Sequence, residues 1–110
     1  MRVLKLDGTP FEIKEEEILY FSSHKNTIHI HTKECDYIYP TSLTDILIAM
    51  KDCGYDRLDR SNVVNTNNIE AYDSTRKVVL FNSSEKYAMV SEPNEKKVKA
   101  IIESKAKEQD

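Results

Sequence analysis

The sequence predicts a mostly β domain of the α+β class, with short antiparallel strands, one mid-chain helix and one C-terminal helix. Three observations carry this. Short runs of apolar residues, several of them alternating with polar ones, recur between polar turns, which is the signature of strands packed on one face. Helical spacing of apolar residues occurs in only two places. Strands and helices do not alternate along the chain, so it does not read as a parallel βαβ fold.

Taken in order, residues 2–6 and 11–14 read as two strands joined through the Asp7-Gly8 turn signal, with Pro10 where the second strand begins. Glu15-Glu16-Glu17 is a polar break, one helical turn at most. Ile18 to Phe21 is a continuous apolar run and reads as a buried strand, followed by a polar loop over Ser22-Ser23-His24-Lys25-Asn26. Thr27 to Thr32 alternates strictly, with Ile28 and Ile30 on one face and His29 and His31 on the other. Cys35 to Tyr39 is a further strand, stopped by Pro40. Leu43, Ile46, Leu47 and Met50 fall at i, i+3, i+4 and i+7, an amphipathic helix with Ser42 as N-cap and Gly54 as its stop. After the stretch from Tyr55 to Asn65, the turn Thr66-Asn67-Asn68 leads into strands over residues 69–73, 77–81 and 87–91, an antiparallel meander. Val98, Ile101 and Ile102 mark the last helix, with Ser91 or Asn94 as cap and Pro93 in its first turn.

The chain of 110 residues reads as a single domain: a hairpin over 1–14, a core over 16–102 and a charged tail over 103–110, expected to fray after Ser104. With 39% apolar and 32% charged residues, it fits a globular domain with a well-solvated surface. No apolar run is long enough to span a bilayer and the N-terminus lacks a signal peptide's apolar region, so no membrane partner and a cytoplasmic location are expected. Cys35 and Cys53 are too few for a disulfide scaffold and read as reduced, semi-buried thiols. A net charge of −3 does not by itself favour nucleic acid, which draws much of its affinity from phosphate neutralisation. An enzyme is not expected. There is no Gly-rich phosphate loop, no nucleophile–base–orienter set and no cofactor motif. His29, His31 and Cys35 offer a zinc site too few ligands and read as an exposed polar strand face.

The stretch from Tyr55 to Asn65 is the most informative. Leu58, Val63 and Val64 are apolar anchors, while Arg57, Arg60, Ser61, Asn62 and Asn65 supply donors suited to phosphates and base edges. It reads as a donor-rich loop held on a scaffold. Asn65 reads as a backbone brace in a turn rather than a base reader.

Five stations agree in order and spacing: Ile18-Leu19-Tyr20-Phe21-Ser22, Ser42-Leu43-Thr44-Asp45-Ile46, Arg57-Leu58-Asp59-Arg60-Ser61-Asn62-Val63-Val64-Asn65, Asn68-Ile69 and Val90-Ser91. Together, from Glu16 to Ile102, they resemble the LytTR DNA-binding domain, the output module of LytR/AlgR/AgrA-type bacterial response regulators in two-component systems. The resemblance implies an elongated array of short antiparallel sheets and sequence-specific binding of double-stranded DNA. Loops, rather than a recognition helix, enter successive major grooves at direct-repeat half-sites occupied by two copies. It places contacts in the loop carrying His24, Lys25 and Asn26, at Arg57, Arg60 and Ser61, and in the segment after Ser91. In that last segment Glu92 and Pro93 stand where members often carry Arg, which shifts the expected contacts to Asn94, Lys96 and Lys97. Asp59 stands where many members carry His or another non-acidic residue. With the acidic total, these departures motivate an alternative: an interaction module that pairs with a related regulator and binds DNA weakly or not at all. No receiver domain is present, so the chain reads as a stand-alone member or an excised output domain, with Met1 and the N-terminal hairpin favouring the former.

Overall fold

The alternating runs become strands and the two helical stripes become helices in the computed structural model, which describes residues 1–25, 27–39, 41–82 and 84–108. In chain order the strands are β1 (Arg2–Leu4), β2 (Pro10–Glu12), β3 (Ile18–His24), β4 (Thr27–Thr32), β5 (Asp36–Tyr39), β6 (Tyr55–Asp59), β7 (Asn62–Asn65), β8 (Ile69–Asp73), β9 (Val78–Phe81) and β10 (Tyr87–Met89). The helices are α1 (Leu43–Met50) and α2 (Glu95–Glu108), and short 3₁₀ turns occupy Glu15–Glu17, Lys51–Cys53, Thr66–Asn68 and Glu92–Asn94. Seven strands form one sheet in the order β2-β1-β5-β4-β3-β7-β6, and β10-β9-β8 form a second. Every pairing is antiparallel. The mostly β class is therefore as the sequence predicts. The molecule is elongated, 42 Å long against 27 and 26 Å in the other directions.

Two apolar cores lie on opposite faces of the large sheet. One gathers Ile18, Phe21, Ile28, Ile30 and Val63 under α1, through Leu43, Ile46 and Met50. The other gathers Leu19, Leu58 and Val64 against Ile69, Val79, Phe81 and Ala88 of the small sheet and Val98 of α2. A strand buried on both faces needs no alternation, which is why the start of β3 and the middle of β7 are continuously apolar. A register shift between Ile18 and Tyr20 puts Ile18 on the same side as Phe21, where strict alternation would oppose them.

Four expectations are corrected. Ser22, Ser23 and His24 are strand, not loop, because backbone pairing with Ile28, His29 and Thr27 of β4 continues past the apolar run. The stretch from Tyr55 to Asn65 is a hairpin of β6 and β7 rather than a loop. Residues 105–108 continue the helix, where the sequence predicts fraying: Lys105 donates to the carbonyls of Asn67 (3.0 Å) and Ile69 (2.7 Å) and ties this end of α2 down. Both cysteines are exposed rather than semi-buried. The strand stop expected at Pro40 lies outside the described residues. The cap of α1 is as expected, with the Asp45 amide donating to Ser42 Oγ (3.1 Å) and Gly54 at φ +88° beyond the helix.

The outer face of β4 departs most from its sequence reading. His31 is half-buried where the segment before β10 folds over it. Its Nε2 lies 2.8 Å from Ser22 Oγ and its Nδ1 3.0 Å from Asp36 Oδ1, and its ring stacks on Tyr20 at 4.2 Å. Lys86 donates to the same Asp36 oxygen (2.8 Å) and to the Thr32 carbonyl. Burial lowers the His31 pKa below 6.5, the Asp36 charge opposing it only in part. At Asp36 burial acts upward, but the Lys86 hydrogen bond and the His31 and Lys86 charges outweigh it, so its carboxyl lies below 3.8. The side chains of Ser22, His31, Asp36 and Lys86 form a polar seam where the segment before β10 meets the large sheet.

Candidate nucleic-acid interface

The hairpin of β6 and β7 turns through Arg60-Ser61, a two-residue connection between paired Asp59 and Asn62. Two-residue hairpins favour positive φ in the turn, which Arg60 and Ser61 do not adopt. The hairpin closes by other means. Asp59 Oδ2 accepts from the Ser61 amide (3.1 Å) and from Ser61 Oγ (2.5 Å), an Asx-type turn. A register shift between Asp56 and Asp59 leaves strand amides without ladder partners. The side chain of Asn62 fills this gap: Oδ1 accepts from Leu58 N–H (3.3 Å) and Asp59 N–H (3.1 Å), and Nδ2 donates to the Met89 carbonyl (2.8 Å) of β10. Asn62 is 2% exposed. One buried amide thus closes the hairpin and joins it to the small sheet.

Two further tethers gather the expected contact regions around this turn. The Ser23 amide donates to the Ser61 carbonyl (3.1 Å), so the β3–β4 hairpin lies beside the β6–β7 turn and projects past it. His24 and Lys25 are exposed at that tip, and Lys25 has φ +48°. Asn26 lies outside the described residues. On the other side, the Leu58 carbonyl accepts from the Ser91 amide (2.8 Å), Ser91 Oγ (3.1 Å) and Asn94 Nδ2 (3.0 Å). Asn94 Nδ2 also donates to Ser91 Oγ (2.8 Å), so this amide braces the start of α2 against β6. Lys96 is exposed in the first turn of α2, and Lys97 donates to Asp56 Oδ1 (3.2 Å) on β6. Segments separated by some thirty-five residues each therefore meet at one end of the molecule.

Two acids of the hairpin, Asp56 and Asp59, are engaged, while Glu92 before α2 is exposed. Asp59 holds Ser61, and Asp56 takes Lys97 and the Arg57 amide (2.8 Å). Arg60 is exposed, and Arg57 Nη2 donates to the Arg60 carbonyl (2.9 Å). Asn65 braces backbone as expected, donating to the Ile18 carbonyl (3.0 Å) and accepting from the Asn67 amide (3.2 Å). Sequence reasoning missed the clamp made by Asn62 and the joint at Leu58, since both depend on partners distant in sequence. The one available signal was a polar residue directly before the buried pair Val63-Val64.

A family model for the LytTr DNA-binding domain matches residues 10–103. The chain belongs to this family. As a LytTr domain it carries its family's DNA-binding fold over nearly the whole sequence. Among solved structures it is similar to the LytTr DNA-binding domain of a protein described as a methyl-accepting/DNA response regulator from Bacillus cereus. That likeness has a TM-score of 0.73 at 19% identity, covering 93% of this chain and 94% of that one. At this identity the shared property is the fold. Comparison with curated proteins gives no match. Among the described residues, no helix is long and apolar enough to cross a membrane.

Proposed function

We propose that this LytTr domain binds double-stranded DNA sequence-specifically and acts as a cytoplasmic bacterial transcription regulator. The observation that carries the reading is the convergence of the β3–β4 tip, the Arg60-Ser61 turn and the start of α2 through the Ser61 and Leu58 carbonyls. A turn held by a buried clamp presents Arg60 on a rigid support, and an arginine there can grip guanine O6 and N7 with two donors. Lys25, Lys96 and Lys97 serve the phosphates and fix register, while His24 reads a base edge. The turn and tip enter successive major grooves, two copies occupying direct-repeat half-sites. Engagement of Asp56 and Asp59 within the fold supports this reading, since neither carboxylate is left unpartnered toward the backbone.

Selection of duplexes from a random library, followed by salt titration of the winner, tests the proposal. Arg60→Ala is expected to cost about 1–3 kcal/mol and to relax preference at one base pair. Unchanged affinity and preference refute the role of Arg60, and failure to enrich any motif refutes the reading as a whole. A second reading, an interaction module for a related regulator, draws on exposed Glu92 and Pro93 at the start of α2 and on the net charge of −3. It is favoured if no motif is enriched.

A further inference from the structure

Beside the recognition turn lies a cleft of about 400 Å³, whose lining includes Ser23, Arg57 and Arg60 on one side and Thr41, Ser42 and Thr44 at the start of α1 on the other. Among the described residues, no acidic side chain lines it. By contrast, a cleft between the two sheets is lined by Glu16, Glu17 and Glu34. Among the described residues, neither guanidinium is paired with a carboxylate: Asp56 takes Lys97, and Asp73 takes Arg76. Arg57 is moreover incompletely satisfied. One nitrogen donates to the Arg60 carbonyl, while Nε is buried with no partner. The outer guanidinium nitrogens of Arg57 and Arg60, rather than the buried Nε, are the donors available at the cleft, and such planar groups suit an anion that takes several donors together.

The opposite wall supplies donors from Ser42 and the first amides of α1, while Thr41 Oγ1 donates to the neighbouring Asp45 carboxylate (3.3 Å). Ser42 Oγ accepts from the Asp45 amide, which leaves its own hydrogen free to donate. The amides of Leu43 and Thr44 have no intrahelical acceptor, as at any helix start. Thr44 is exposed. Arg60 thus stands between two surfaces, with Ser61 lining a different groove against β10 and Arg60 lining this cleft.

Resting on the DNA-binding reading above, we propose that this cleft seats one phosphodiester of the DNA backbone, held between Arg57 and the first turn of α1. The turn that carries Arg60 then enters the groove next to that phosphate. Residues 41–44 become part of the interface, and Arg57 becomes a phosphate contact rather than a base reader.

Thr44→Glu tests this, because its effects on folding and binding have opposite signs. An acid in the first turn of a helix is favoured by the helix dipole, so the melting temperature is expected to hold or rise. The same charge faces the proposed phosphate, so affinity of the full chain for its library-selected duplex is expected to fall roughly tenfold or more. Thr44→Lys is expected to retain or raise affinity. Arg57→Gln is expected to reduce the slope of log K against log salt by about one phosphate's worth. If Thr44→Glu binds like the wild type while Arg60→Ala binds weakly, the cleft assignment is overturned and the DNA reading stands. If the wild-type chain binds no duplex, both fall. In a parallel titration with inorganic phosphate, sub-millimolar binding that shifts the Thr44 amide and that duplex does not displace would assign the cleft to free phosphate and overturn the backbone contact.

Discussion

Replacing Asn62 with Ala should unfasten the β6–β7 hairpin, and the size of the effect follows from its three hydrogen bonds. The substitution strands the Leu58 and Asp59 amides and the Met89 carbonyl, all beside a side chain that is 2% exposed. A buried polar group left without a partner costs about 1–3 kcal/mol, and the three share one site, so their penalties do not simply add. A loss of about 2–4 kcal/mol is expected, on the order of 1–2 M in the urea midpoint for a small domain. Asn62→Asp separates the parts, since a carboxylate still accepts from both amides but cannot donate to Met89. Urea unfolding gives the totals, and amide hydrogen exchange gives the location. In Asn62→Ala the Leu58 and Asp59 amides should lose more protection than those of β4. In Asn62→Asp the β10 contact should open first. A loss below about 0.5 kcal/mol, with Leu58 exchange unchanged, would refute the clamp, because that is the size of an ordinary surface substitution.

Two further predictions concern charge. Asp59→Asn keeps an acceptor for Ser61 and removes a negative charge beside the turn, so duplex affinity should rise severalfold with little change in stability; Asp59→Ala should instead lose about 1 kcal/mol of stability with the turn. Equal affinity in wild type and Asp59→Asn, measured by competition at low salt, would show that the carboxylate does not act on the DNA. Stability should also fall on acidification in two stages. The His31 pKa is lowered in the folded chain, so below pH 6.5 the unfolded chain takes up a proton that the folded one resists, and stability drops until the folded His31 also titrates. Asp36 is likewise lowered, so stability held above pH 3.8 is lost as pH falls through its folded value. Denaturant midpoints across pH check both stages, and His31→Gln should remove the first; a wild-type profile that His31→Gln leaves unaltered would refute the assignment.

What the sequence revealed depended on how local each cause was. The strict alternation of Thr27 to Thr32 and the heptad-like spacing of Leu43, Ile46 and Met50 are local patterns, and both elements formed where expected. The Ser42 cap was legible because its partner is three residues away. The hairpin of β6 and β7 was misread because its polar residues resemble loop donors, yet Asn62, Asn65 and Asp59 spend their polarity inside the fold. His31 was placed on the correct face, but nothing near it announces the arrival of Lys86 from across the chain. Of the expected interface, Arg60 and Lys25 were legible as exposed cations on turns. The bracing role of Asn94 was not, because its acceptor is the Leu58 carbonyl thirty-six positions earlier.

The joint at the Leu58 carbonyl bears on synthesis as well as shape. Ribosomes deliver β6 and β7 well before Met89, Ser91 and Asn94, so the turn at Arg60-Ser61 leaves the exit tunnel without the distant residues that brace it. A chain cut short before residue 89 would carry every side chain expected to touch a base at that turn, yet lack the brace that aims them. The brace on the turn is therefore complete only when the small sheet and the segment before α2 are in place behind it.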